Sequence, residues 1–377
     1  MRLHRFATVF AGALAATLLA PAVANAAPMN NRPWVTVVAS RLDNPRGVTA
    51  GYNGAILVAE AGRGGRSDRC LDSPEGGKLC LGLTGGITAV RQQGQRGTWS
   101  QRRIVGGLPS LAGRDGASAV GPHDVSPYGD GSYITTLGLG GTAKTRFKLG
   151  FGGLLLGQSA VVKADGDGVS IRSLGDHAAF ETRRDPDRQG ADSNPYGVLG
   201  TRDGVVATDA GGNTLLSVDR RGTVSTLAVF PNRMVQGPSG DRVSMQAVPT
   251  SVVRGPDGAY YVGQLTGFPF PVGGASVFRV VPGERPTVVA RGFTNIIDLA
   301  FDSRGRLLVL EIAANGLRSG DQTGALIRVD RRGNRTELVP GRLTAPGGLA
   351  FGADGSLFVT NRSTSAGRGE LLRIGNV

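Results

Sequence analysis

The chain has 377 residues, a formal net charge of +13 and only two cysteines. That charge invites a nucleic-acid partner, but only four of the 42 basic residues are lysine, and the arginines scatter through turns such as Arg220-Arg221 and Arg331-Arg332. With no basic block and no interleaved aromatics, a specific nucleic-acid interface is excluded, and two cysteines with no histidine near them exclude a cysteine-based zinc site.

Residues 1–26 predict a secretory signal. Arg2 and Arg5 precede an apolar run from Phe6 to Val23, and Ala24-Asn25-Ala26 forms an A-x-A cleavage site. There is no twin arginine, so the general secretion route and an extracellular destination are expected. No later stretch approaches transmembrane length, so no membrane anchor is expected. Residues 27–33 read as a short linker and 34–377 as one domain.

That domain is written as a repeat. Six turns, Asn53-Gly54, Asp130-Gly131, Asp203-Gly204, Asp257-Gly258, Arg304-Gly305 and Asp354-Gly355, each separate two apolar runs. Asn-Gly and Asp-Gly at such places predict type I′ hairpins, which need positive φ at both central residues. Nine residues before the turn glycine stands Pro45, Pro122, Pro195, Pro249 or Pro346, with Ile296 in the remaining copy. Proline has no N–H to give a ladder and is tolerated at a strand's first residue, so it marks where each inner strand opens. The second strands read Ile56–Glu60, Tyr133–Leu137, Val205–Asp209, Tyr260–Gln264, Leu307–Glu311 and Leu357–Asn361.

Further strands follow in each unit, clearest at Thr214–Asp219 with Thr223–Val229, Ser276–Val281 with Thr287–Ala290, and Ala325–Asp330 with Arg335–Val339. The last unit stops at Leu371–Ile374, one strand short, while Trp34–Ala39 stands unclaimed at the other end. The expectation is an all-β, six-bladed β-propeller with four antiparallel strands per blade, its ring closed by the N-terminal strand completing the last blade.

Three excursions interrupt the pattern. Cys70 and Cys80 bracket a Gly- and Asp-rich excursion in the first blade and predict a disulfide in an exported chain. Asp176–Asp192 is a charged insertion with a short helix around His177–Arg184. Leu265 to Pro271 is apolar and aromatic, and reads either as a wall beside the channel mouth or as internal packing.

The familiar catalytic motifs H-E-x-x-H, G-x-S-x-G and the P-loop are absent. Beyond the signal there are two histidines, His123 and His177, so a Ser–His–acid nucleophile has to use one of them. The repeat supplies other candidates. The second strands end in Glu60, Leu137, Asp209, Gln264, Glu311 and Asn361, five of them polar, and His123, Asp124, Asn194, Tyr196 and Asp298 stand near the inner-strand starts. Gathered at one mouth of the axial channel, such oxygens suit Ca²⁺ or another divalent cation, with Glu60, Asp209 and Glu311 as the metal set. They equally suit acid–base work on a ligand, or capping of backbone N–H groups within each blade.

The segments Ala59-Glu60-Ala61-Gly62-Arg63-Gly64-Gly65, Gly121-Pro122-His123-Asp124, Asp192-Ser193-Asn194-Pro195-Tyr196-Gly197 and Gly263-Gln264-Leu265-Thr266-Gly267-Phe268-Pro269-Phe270-Pro271 resemble those of the ScyD/ScyE family. The resemblance spans the whole mature chain, including the cysteine excursion. It implies an exported six-bladed propeller of the NHL/SMP-30-like kind. From the residues gathered at the axial mouth we expect a monomer that binds a small molecule, an ion, or an extracellular protein or polymer there, without demonstrated catalysis. The alternative on the same fold is a metal-dependent lactonase or other hydrolase, or a strictosidine-synthase-like enzyme. Those lactonases hold a divalent cation near the inner-strand starts. Here the residues just after the opening positions are Arg46, His123, Tyr196, Thr250, Ile297 and Gly347. Only His123 among them is a metal-ligand type, so a lactonase metal site has to shift to Glu60, Asp209 and Glu311.

Overall fold

Each repeat doubles back through a tight turn, and the turn residues decide how. The computed structural model describes residues 32–377 apart from 73–76, 95–96 and 166–167, so the expected signal at 1–26 and most of the linker lie outside the described residues. In the first two repeats both central residues have positive φ, Asn53 at 57° with Gly54 at 70°, and Asp130 at 48° with Gly131 at 71°. This is the expected I′ geometry. In the last three only the glycine does, at 81° for Gly258, 71° for Gly305 and 76° for Gly355. There the chain makes a one-residue-longer loop, in which the Gly258, Gly305 and Gly355 N–H groups bond the carbonyls of Gly255, Asp302 and Gly352, and the left-handed glycine restores the strand twist. In the third repeat Thr201 pairs with Gly204, so the loop is Arg202-Asp203, one residue earlier than its sequence suggests.

Six four-stranded antiparallel blades result. Their two inner strands are Pro45–Ala50 with Ile56–Glu60, Pro122–Gly129 with Ser132–Leu137, Pro195–Thr201 with Gly204–Asp209, Pro249–Arg254 with Tyr260–Gln264, Ile296–Phe301 with Leu307–Glu311, and Gly348–Phe351 with Leu357–Asn361. We number the blades 1 to 6 in this order. The opening residue faces the end of the second strand in five of them, Pro45 to Glu60, Pro122 to Leu137, Pro195 to Asp209, Pro249 to Gln264 and Ile296 to Glu311. Blade 6 takes its third strand from Gly369–Gly375 and its fourth from Trp34–Leu42, in register from Trp34 opposite Gly375 to Leu42 opposite Gly369. The ring is closed as the unclaimed N-terminal strand predicted.

The core is divided between blades. Leu57, Val125, Leu137 and Val162 pack between blades 1 and 2, Phe230, Val262 and Phe278 between 3 and 4, and Leu310, Leu326, Leu357 and Val359 between 5 and 6. Each such side chain contributes about 1.5–3 kcal/mol by leaving water. This is how a domain of this length stays stable without one central core.

Blade 1 departs most from the repeat. Its outer strands, Lys78–Gln93 and Thr98–Ala112, run on past the sheet, and Cys70–Asp72 pairs with the start of the former. Cys70 and Cys80 face each other there and are joined by the expected disulfide. The charged insertion forms its helix at His177–Arg184, with the Asp176 carboxylate accepting from the Ala179 N–H as N-cap. A two-stranded ribbon, Arg233–Gln236 with Arg242–Met245, lies between blades 3 and 4 and was not foreseen. Among the described residues no helix is long and apolar enough to cross a membrane.

Candidate functional site

Because the inner strands open at the same register, the residues just after the opening positions come together on the axis. Arg46, His123, Tyr196, Thr250 and Ile297, from five different blades, line a cavity of about 380 Å³. Gly347 supplies the sixth position with no side chain. Leu71, Asp72 and Leu79 of the disulfide hairpin, with Leu139, Asn194, Val248, Leu265, Ile312 and Leu317 from the loops, complete the wall. The apolar stretch after Gln264 therefore contributes one wall residue, Leu265. Its Phe268 stays half exposed under the Arg318 guanidinium.

His123 is buried and its ring stacks on Tyr196 with centroids 4.5 Å apart. Its Nδ1 lies 3.0 Å from the Pro195 carbonyl oxygen. Burial, helped by the Arg46 charge, pushes the imidazole down to about 3, so it is neutral at ordinary pH. A carbonyl only accepts, so Nδ1 carries the proton and Nε2 the lone pair. Gly138 makes room for this ring, since a Cβ there would stand 2.1 Å from His123 Cε1. Arg46 Nη2 donates to the Ala119 carbonyl at 2.9 Å, while its Nε is buried with no partner and its guanidinium stands beside the buried Tyr196 hydroxyl.

One residue further along the inner strands stand Asp124 and Asp298. Asp124 accepts from Val125 N and from Val198 N of blade 3, each at 2.8 Å. Asp298 accepts from Leu299 N and from Leu349 N of blade 6, again at 2.8 Å. Each carboxylate thus clips its blade to the next, and blades 2 and 5 are opposite in a ring of six. Burial pushes Asp298 up to about 7, and burial plus the charge of Asp298 pushes Asp124 well up. Blade 1 has glycine at this register, where a Cβ on Gly47 would stand 2.0 Å from Asp124 Oδ1.

The strand-end residues turn to their own blades. Glu60 accepts from Asp43 N at 2.7 Å, from the Thr88 hydroxyl and from Arg103 Nη2 at 2.8 Å. Glu311 accepts from Thr294 N at 2.7 Å, and Asn361 from Thr344 N at 2.7 Å. Asp209 accepts from Asn194 N at 2.7 Å and from the Ser193 hydroxyl at 2.6 Å. Gln264 is buried with Oε1 unpartnered. Each of Glu60, Asp209, Glu311 and Asn361 thus takes a backbone N–H from just before the inner strands, which is the capping geometry. Glu60, Asp209 and Glu311 do not converge as a trio of carboxylates.

His177 does meet a serine, its Nε2 2.7 Å from Ser159 Oγ, but both residues are wholly buried and Nδ1 has no partner. No substrate reaches that pair and no acid orients the ring. Of the ten candidates, then, His123, Asn194 and Tyr196 line the cavity, and Asp124 and Asp298 brace it. Arg46, near an inner-strand start, belongs to the wall too, as do Thr250 and the disulfide hairpin, which were not among the candidates. The register that placed His123 and Tyr196 also carried Arg46 and Thr250, whereas nothing in the hairpin's sequence gives its reach.

These groups set a pH dependence. The folded chain holds protons on Asp298 and on Glu311, both pushed to about 7 by burial, that the unfolded chain releases near 4. Their stabilisation is present at acid pH and is lost as pH rises through 7. His123 at about 3 and His177 at about 4 act oppositely, their stabilisation being present above about 6.5 and lost as pH falls. The two sets partly cancel below pH 6.5, and above it the carboxyls dominate. Thermal unfolding in EDTA is expected to show stability falling by on the order of 1–2 kcal/mol between about pH 6.5 and 8. A melting temperature that climbs across that interval contradicts these assignments.

Neither a protein-family model nor a curated protein matches this sequence. Solved structures do match in shape. A Bacteroides thetaiotaomicron protein of unknown function is similar at 9% identity and a TM-score of 0.51, over 91% of this chain and 75% of that one. A structure assigned as a gluconolactonase is similar at 12% identity and a TM-score of 0.50, over 91% of this chain and 92% of that one. A catalytically inactive virginiamycin B lyase from Staphylococcus aureus is similar at 13% identity and a TM-score of 0.46, over 91% and 98% of the two chains. At such identities the likeness is one of fold. The chain is a six-bladed propeller.

Proposed function

We propose that this is an exported propeller of the ScyD/ScyE kind that binds a small organic molecule in its axial cavity, holding a carboxylate or carbonyl oxygen against Arg46 and Tyr196. The observation that carries this reading is the buried Arg46 Nε, left without a partner beside a largely apolar wall, with the Tyr196 hydroxyl next to the same guanidinium. An unpaired buried donor costs about 1–3 kcal/mol, which a ligand oxygen recovers. A cavity of about 380 Å³ is within the range of small-molecule sites. Export is supported by the residues of the N-terminal signal and by the Cys70–Cys80 disulfide.

Binding is favoured over hydrolysis because His123, pushed to about 3, is a feeble base at neutral pH. The strand-end carboxylates that a shifted lactonase metal site needs are occupied by backbone donors. The test is a thermal-shift screen of small carboxylates, lactones and phenols against the mature protein. A ligand at a hundred times its dissociation constant adds about 2.7 kcal/mol of stability. Hits are expected to lose affinity by about tenfold or more in Arg46→Gln and in Tyr196→Phe. Hits that bind both variants as tightly as the parent, or a screen without hits, would overturn the proposal.

A further inference from the structure

The helix His177–Arg184 ends at Asp185, which takes a left-handed conformation at φ 39°. Glu181, one turn earlier, brings a carboxylate oxygen within 4.8 Å of oxygens of Asp185 and Asp187, the one such trio among the described residues. Glu181 is only 1% exposed, yet neither of its oxygens has a partner, and Asp185 Oδ1 is buried and equally unpartnered. One buried and two half-buried carboxylates thus bring oxygens together, with both oxygens of Glu181 and one of Asp185 left without a partner. Such an arrangement is costly unless a cation completes it.

The surroundings hold the trio in place. Asp187 accepts from Asn213 Nδ2 at 2.7 Å and from Gln189 N at 3.0 Å, and Asp185 accepts from Gly190 N at 3.2 Å. Gly212 backs Glu181, where a Cβ would stand 2.7 Å from Oε2. The carboxylates lie at the helix C-terminus, whose dipole adds negative potential and favours a positive ion.

We propose that Glu181, Asp185 and Asp187 bind a calcium ion. The all-oxygen, carboxylate-rich donor set selects a hard cation, and oxygens spread up to 4.8 Å apart leave room for calcium's long bonds. The ion also reaches the axial cavity indirectly. Asn213 bridges Asp187 to the backbone N–H of Val248 at 3.0 Å, and Asp209 holds Asn194, and both Val248 and Asn194 line that cavity.

The experiment is calorimetric titration of CaCl₂ into the full mature protein after EDTA treatment and desalting, with melting temperatures alongside. One ion per chain is expected, with a higher melting temperature when it is bound. Glu181→Gln should weaken calcium by about 100-fold while melting higher than the parent in EDTA, because the buried repulsion is gone. Should that variant not fold, Asp187→Asn is read instead, with about tenfold weaker binding expected. Glu311→Gln should bind calcium like the parent. No calcium heat from the parent, unchanged affinity in the Glu181 and Asp187 variants, or loss of binding in Glu311→Gln would each overturn the assignment.

Discussion

A chain that starts at Asp43 is expected not to fold cooperatively. Removing Trp34–Leu42 takes the whole outer strand from blade 6 and leaves Gly369–Gly375 with an open edge. It uncovers a packed cluster in which Val38, Ala39, Leu42, Leu371 and Phe358 meet. Full burial of Val38 and Leu42 alone is worth about 1.5–3 kcal/mol each, and the ladder bonds add about 0.5–1.5 kcal/mol apiece. The strand also ties blade 6 to blade 1, since Ser40 N donates to Gln101 Oε1 and Gln101 Nε2 donates back to the Ser40 carbonyl, both at 2.9 Å. The sum is comparable with the whole stability of a typical domain, about 5–15 kcal/mol. Guanidinium unfolding of the truncated chain should show no sharp transition, and adding a peptide of residues 34–42 should restore one. A truncated chain with the parent's midpoint would mean that the ring closes elsewhere.

Glu60→Ala is expected to cost about 3–5 kcal/mol, the range for breaking a buried charge network, and to do so equally in EDTA and in calcium. The substitution strands the Asp43 N–H and the Thr88 hydroxyl and frees Arg103. Asp43, itself buried, then keeps Arg63 at 2.7 Å as its nearest counter-charge. Glu60→Gln should recover part of the loss, because an amide oxygen still accepts from the Asp43 N–H. If Glu60 held an ion, the alanine variant would differ from the parent only when that ion is supplied. Denaturant midpoints measured both ways separate the two roles.

The repeat made the fold legible. Turn glycines, prolines and constant spacing marked Ile56–Glu60, Tyr260–Gln264, Leu307–Glu311 and Leu357–Asn361 to the residue, and the unclaimed strand at Trp34 completed the ring. The helix over His177–Arg184 was legible too, because Asp176 is a good N-cap. The site was only half legible. His123 and Tyr196 follow directly from register. The direction of Glu60 or Glu311 does not, because alternation along a strand gives a face and says nothing about whether a terminal side chain curls back on its own backbone. The clue was present in the pairing. A strand-end residue opposite the opening proline lies beside the N–H groups preceding that proline, which need acceptors. The calcium trio was illegible because Glu181 belongs to a helix and its partners to the loop after it, and only the left-handed turn at Asp185 brings them together.

The closing strand has a bearing on the order of assembly. Residues 34–42 leave the ribosome long before their partners at 369–375. Blades 2 to 5 each draw all four strands from one contiguous stretch and can form as the chain lengthens. Blade 6 cannot, and the hydrophobic side of the Trp34–Leu42 strand has nowhere to go until residues 369–375 arrive. Contacts of such long sequence separation slow folding, and they make the finished ring a late, all-or-none event. A nascent or C-terminally shortened chain would carry an unpaired edge at both ends, which is the form most prone to be recognised as incomplete.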